Sequence, residues 1–164
     1  LKDKLTVLIL FGGASEEHEV SIKSAKEIAD HIDKQKFSPI YVGITKEGNW
    51  RLCDGPQNGW ANASCDLAVL SPDKDTQGLI VFKEDGYHII QIDVVFSALH
   101  GKTGEDGTIQ GLLNLSGIPY VGCDIESSVS CMDKALTYLI LIGAGFNVPK
   151  YFIIHDEEDV DLKK

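Results

Sequence analysis

Phe11-Gly12-Gly13-Ala14-Ser15-Glu16-Glu17-His18-Glu19-Val20-Ser21 joins two different periodicities. Before it, the apolar run Leu5 to Phe11 has the pattern of a strand buried on both faces. After it, Ile22, Ala25, Ile28, Ala29 and Ile32 recur on one side of a helix spanning about Val20 to Ile32. Gly12 and Gly13 between them let the backbone turn sharply and leave room beside it. A strand, a glycine turn and a helix with carboxylates at its start describe a ligand site at the C-terminal edge of a sheet.

The acids bear on the ligand. A helix N-terminus carries partial positive charge and welcomes a phosphate. Glu16, Glu17 and Glu19 at that point argue instead for an ammonium group or a metal. The glycines match neither the P-loop nor the Gly-x-Gly-x-x-Gly pattern. The plainer alternative is that the acids merely favour the start of the helix.

A second loop has the same character. The apolar run Val94 to Leu99 ends in His100-Gly101-Lys102-Thr103-Gly104-Glu105-Asp106-Gly107, and a helix pattern with Ile109, Leu112, Leu113 and Leu115 follows. Glycines mixed with charged side chains suit a binding loop. In a parallel sheet two such loops can meet at one edge.

The remaining pattern alternates strand and helix. Ser38 to Ile44 reads as a second strand, and Trp50 to Lys74 as irregular. Gly78 to Phe82 and Tyr87 to Ile90 form a hairpin around Glu84-Asp85-Gly86. Thr108 to Ser116 is a helix, Tyr120-Val121 a short strand, Lys134 to Ile142 a helix and Tyr151 to Ile154 a strand. This predicts an α/β fold: a largely parallel sheet with helices on both faces. Phe11, Phe96 and Tyr41 read as core, and Trp50 and Trp60 as pins for the irregular segment. The run Asp156 to Asp161 reads as a solvated surface or frayed end.

Composition narrows the class. Hydrophobic residues at 43% support a real core. A formal charge of -10 argues against nucleic acid. No run reaches the length of a membrane span and no basic segment precedes an apolar leader, so the expectation is a cytoplasmic protein with no membrane partner. Cys53, Cys65, Cys123 and Cys131 form no Cys-x-x-Cys pair, which argues against zinc; disulfides are not expected, and the four read as small packing residues.

Further segments carry a resemblance. Phe11 to Ser21, His100 to Gly111, Ser116 to Cys123, Cys131 to Lys134 and Gly145 to Pro149 follow the order and spacing of the N-terminal part of D-alanine–D-alanine ligases, members of the ATP-grasp superfamily. The chain resembles that family over nearly its whole length. Ser15-Glu16-Glu17-His18, Val20 to Ala25, Gly43-Ile44-Thr45-Lys46 and Leu70 to Lys74 look most like the vancomycin-resistance branch, which joins D-alanine to D-lactate.

The resemblance implies a pre-ATP-grasp, Rossmann-like N-terminal domain over 1–123 and the start of a truncated central ATP-grasp domain over 124–164. It implies an ATP-dependent ligase that makes a D-alanyl acyl phosphate and then an ester or amide for peptidoglycan precursors. ATP and Mg2+ would be bound mainly by segments beyond residue 164, so the chain alone is expected to be inactive. A homodimer is the implied assembly, and the second substrate stays open between D-lactate, D-alanine and D-serine. The alternatives are a stand-alone small-molecule binding module and a non-catalytic remnant.

Site residues are carried over by position. Glu17 matches the glutamate that receives the ammonium of the first D-alanine; its plain reading is a helix-start acid, and Glu16 is the neighbouring competitor. His100 matches a contact to the first D-alanine or the acyl phosphate, against a loop histidine bonded to backbone. Lys134 matches a lysine that reaches the ATP phosphates, against an exposed helix-start lysine. Lys23 lies in the branch-specific stretch as a candidate for the second substrate's subsite, or as a surface lysine. Glu105 and Asp106 are read as holding their loop. No metal ligand is assigned.

Overall fold

The computed structural model describes residues 4–57, 59–62 and 65–154. Eight strands form one sheet: β1 (Leu5–Gly12), β2 (Phe37–Ile44), β3 (Trp50–Cys53), β4 (Asp66–Leu70), β5 (Gly78–Lys83), β6 (Gly86–Gln91), β7 (Val94–Ser97) and β8 (Tyr120–Val121). The helices are α1 (His18–His31), α2 (Thr108–Ser116), α3 (Ile125–Met132) and α4 (Lys134–Gly143), with a short 3-10 turn at Trp60–Asn62.

The spatial order is β6-β5-β4-β3-β2-β1-β7-β8. β2, β1, β7 and β8 run parallel. β3 to β6 extend the sheet beyond β2 as an antiparallel meander. The chain leaves β1 toward β2 on one side and later places β7 on the other. The loops after β1 and β7 therefore flank a topological switch point, where open α/β sheets bind their ligands.

β1 explains why the sheet is covered twice. Leu8 and Leu10 face a core with Val42, Val95, Ile109 and Leu113, so α2 lies on that side. Val7, Ile9 and Phe11 face Ala25, Ile22 and Ile28, so α1 lies on the other. Alternate side chains of a strand point to opposite faces, and β1 has apolar residues for both. Of the stripes expected for α1 and α2, Ala25, Ile109 and Leu113 are buried, Ile22, Ile28, Ala29, Ile32 and Leu112 are half-buried, and Leu115 is 61% exposed.

Several expectations need correction. The segment Trp50 to Lys74 contains two strands, β3 and β4, besides the turn at Trp60. β3 pairs with β2, and β4 with β3 and β5; cross-strand pairing supplied a regularity that the turn residues of this stretch concealed. α3 adds a helix that was not anticipated, and Asp124 caps it by accepting the Ser127 N–H. Tyr151 to Ile154 is not a strand; no neighbour pairs with it among the described residues, and Phe152 is 80% exposed. Cys123 and Cys131 are exposed, so the packing role fits only the partly buried Cys53 and Cys65. The acidic run Asp156 to Asp161 lies outside the described residues. Trp60 is pinned as expected: it is buried and meets Phe11 edge-on at 5.0 Å between ring centroids.

Candidate functional site

The β1–α1 loop is held from both sides of the switch point. Gly13 N–H donates to the Ile44 carbonyl at 2.8 Å, anchoring the loop to the end of β2. Buried Ser21 accepts the Gly12 N–H at 2.8 Å and donates to the Ala98 carbonyl at 2.7 Å, tying the loop to the end of β7. Gly12 has φ +85, and a Cβ there would lie 2.3 Å from the Ile44 carbonyl oxygen, so only glycine fits. His18 is buried, and its Nδ1 lies 2.7 Å from the Gly13 carbonyl. A carbonyl only accepts, so this nitrogen carries the proton and His18 serves the loop's structure.

The two polar loops meet. Ser15 Oγ donates to the His100 carbonyl at 2.9 Å and accepts the Glu17 N–H at 3.3 Å. Gly101 has φ +71, and a Cβ there would come within 2.5 Å of Glu17 Oε2. The Glu17 carboxylate thus sits against the bare backbone of the second loop. Glu17 occupies the N-cap position of α1, yet its side chain makes no capping bond. The carboxylate is exposed and makes no capping bond, which leaves it to act on the start of α1 only through charge.

The His100 imidazole lies between helix and loop. Its Nε2 is 2.9 Å from Ser24 Oγ on α1, and its Nδ1 is 3.6 Å from Glu105. Glu105 in turn accepts the Gly101 N–H at 3.1 Å. Asp106 accepts the N–H groups of Thr103 and Thr108 at 2.9 and 3.0 Å. Burial works against its charge, but those backbone donors outweigh it and hold its carboxyl below the usual value. The loop-holding roles expected of Glu105 and Asp106 are the contacts observed.

Two clefts open here. One of about 570 Å³ is lined by Ser15, Glu16, Glu17, Lys46, Gly101, Lys102 and Met132. The other, about 470 Å³, is lined by His100, Glu105, Gln110 and Lys134 among others. Lys134 is exposed at the start of α4, where its Nζ donates to the Cys131 carbonyl at 3.0 Å. The loops bring Glu17 and the His100 backbone together, and the second cleft brings the His100 ring and Lys134 together. Lys23 is exposed on α1 and lines neither cleft.

Ser15, Ser24, Lys46 and Lys102 were not singled out. All four lie inside the family-like stretches, and a serine between Gly-Gly and a glutamate pair was the available signal. The Ser24 contact depends on helix phase, which composition does not reveal. Among the described residues no three His, Cys, Asp or Glu side chains gather as a metal site, and no helix is long and apolar enough to cross a membrane.

Switch-point loops that clasp each other over a polar cleft are the arrangement by which open α/β proteins bind small ligands. Residues 6–123 match the family described as D-ala D-ala ligase N-terminus, and the chain belongs to that family. It is 56% identical to the vancomycin/teicoplanin A-type resistance protein VanA of Enterococcus faecium, over 95% of this chain and 46% of that protein. It is 52% identical to a putative D-alanine–D-lactate ligase of Streptomyces coelicolor, over 96% of this chain and 46% of that protein. The crystal structure of the VanG D-Ala:D-Ser ligase from Enterococcus faecalis superposes with a TM-score of 0.82 at 40% identity, covering 90% of this chain and 44% of that one. The chain thus spans about half the length of the curated relatives it matches.

Proposed function

We propose that this chain is the first-substrate half of an ATP-dependent ligase that joins D-alanine to D-lactate, in the vancomycin-resistance manner. The observation that carries this is the Glu17 carboxylate, unused as a cap and set against Gly101 in the shared cleft. That cleft holds carboxylates, Glu16 and Glu17, and ammonium groups, Lys46 and Lys102. Both signs together suit a zwitterion. Glu17 receives the D-alanine ammonium, a charge-assisted bond that orients the substrate carboxylate.

In the reaction, the D-alanine carboxylate takes the γ-phosphoryl of ATP, releasing ADP. The D-lactate hydroxyl attacks the acyl carbon, loses its proton, and phosphate leaves. His100, fixed by Ser24 and Glu105, lies beside the cleft that Lys134 also lines, which supports placing the acyl phosphate there. Lys134 serves the transferring phosphoryl as a point charge. Magnesium lowers the charge on the phosphates. Among the described residues no three His, Cys, Asp or Glu side chains gather to hold it, and no residue here is assigned to it.

The same reading takes 1–123 as the substrate domain and 124–164 as the beginning of a central ATP-grasp domain. Its support is that the family match stops at 123 and the buried apolar core stops at Ile118. It also takes the protein as a cytoplasmic homodimer. The uncovered apolar side chains of the meander, Leu67, Val69, Phe82, Tyr87 and Ile89, support a partner surface.

The test is competition between acceptors in the full-length protein. A D-alanine acceptor must lose the proton of its ammonium before attack, whereas D-lactate has no ammonium. The depsipeptide share should rise as pH falls from about 9 to about 6, through the amine's titration range. Lys23 is proposed to disfavour the ammonium further in the second subsite, so Lys23→Ala should raise the dipeptide share. Dipeptide as the main product at pH 6 overturns D-lactate as acceptor and leaves the family standing.

A further inference from the structure

The meander contains a pair of cysteines that the ligase reading does not use. In the β3–β4 ladder Arg51 pairs with Leu67 and Leu52 with Asp66. Each step forward on β3 is a step back on β4, so the same register carried one step past the last ladder pair sets Cys53 opposite Cys65, just before β4 begins. Directly opposed residues of antiparallel strands have Cα atoms about 4.5–5.5 Å apart and side chains on one face. That separation lies inside the range of about 4.4–6.8 Å over which a disulfide closes without moving the backbone.

The side chains agree with the register. Both cysteines are free, and both line one cleft of about 250 Å³ with Asp54, Gln57 and Trp60. Cys65 Sγ donates to the Trp60 carbonyl at 3.4 Å, and Cys53 Sγ to the Tyr41 carbonyl at 3.7 Å. Two adjacent thiols can hold a soft metal, but among the described residues no third ligand completes a site.

We propose that Cys53 and Cys65 are a reversible oxidation site, which a small-molecule disulfide converts into an internal disulfide between β3 and β4. Cys65 attacks first. Burial pushes the Cys53 thiol up to about 11, whereas Cys65 is raised by a milder burial and by Asp54 and Asp66, with Arg51 opposing. The Cys65 thiolate attacks one sulfur of the small disulfide; that S–S bond breaks and one half leaves, taking a proton. Cys53 then gives up its proton and attacks the Cys65 sulfur, and the second half leaves as a thiol. Two protein thiols are oxidised and one small disulfide is reduced to two thiols. The new bond ties together the strands that bracket Trp60, and so the pin against Phe11.

The experiment uses the full-length protein that carries this chain, held native in oxidised glutathione, quenched with iodoacetamide and mapped by mass spectrometry. The expected result is a linked Cys53–Cys65 peptide, about 2 Da below the sum of its reduced parts and reversed by dithiothreitol. Native protein in which both cysteines end up alkylated, while exposed Cys123 or Cys131 has reacted with glutathione, overturns the proposal. Cys53→Ser should trap one glutathione on Cys65. An unmodified Cys65 in that variant overturns the order of attack and the site with it.

Discussion

The parallel half of the sheet and the antiparallel meander are built from similar apolar strands, yet they differ in what their ends do. β1 and β7 end in glycine-rich loops that leave the sheet for helices on opposite faces, and those loops clasp through Ser15, Ser21 and His100. The meander strands turn back within the sheet; β5 and β6 are joined by only Glu84 and Asp85. A crossover to a helix leaves backbone N–H groups and side chains projecting at the strand end, whereas a tight hairpin uses them up in its own ladder. The polar ligand cleft therefore gathers at the ends of the parallel half, and the other half widens the sheet.

The sharpest way to break this division is at Glu17. In the full-length protein Glu17→Gln should retain the fold and lose about 2–5 kcal/mol in use of the first D-alanine, the cost of truncating one partner of a charge pair that substrate binding takes out of water. In kcat/KM this is about thirty-fold to several thousand-fold. Glu16→Gln lines the same cleft but does not meet Gly101, and should cost far less. Steady-state kinetics on both variants decides between them; equal losses would mean that the cleft recognises its ligand by diffuse charge.

Gly43 tests the opposite half of the claim. It lies on β2 where the meander joins, and a Cβ there would fall 2.3 Å from the Trp60 ring. Gly43→Ala should push Trp60 off Phe11 and cost roughly 1–3 kcal/mol of stability, as overpacking does. The urea midpoint should fall while D-alanine KM of the folded protein stays within about two-fold. A large KM change would show that the meander is part of the site after all.

The parts of the molecule readable in advance were those with a short-range cause. β1, α1, β7 and α2 each carry apolar residues at their own period, and the glycines mark where one period yields to the next. β3 has no such period: it is half-buried along its length and owes its form to β2 and β4. Tyr151 to Ile154 shows the converse, an apolar run with the composition of a strand but, among the described residues, no strand beside it. In the candidate site, Glu17, His100 and Lys134 are proposals carried over by position, whereas the Ser15 clasp and the Ser24 contact to the His100 ring join residues 85 and 76 positions apart. No local pattern encodes such a pairing; the β1–β7 register does.

The smallest expected effect concerns how firmly the second loop is held. Asp106 gathers the Thr103 and Thr108 N–H groups, bonds that each contribute about 0.5–1.5 kcal/mol, less where water competes. Asparagine keeps one acceptor oxygen but turns an NH2 toward the other donor. Asp106→Asn should therefore lower stability by about 1 kcal/mol or less at neutral pH. The sign with pH follows from the direction of the shift. The folded carboxyl titrates below its unfolded value, so its contribution is fully present above the unfolded pKa of about 3.9 and is lost as pH falls through the lower, folded value. The gap between wild type and variant should be widest near pH 7 and close below about pH 4. Thermal unfolding of both proteins from pH 7 to pH 3 checks this. A gap that stays constant with pH would mean that Asp106 acts by shape rather than charge, and the loop that carries His100 would then owe its order to Glu105 and Gln110.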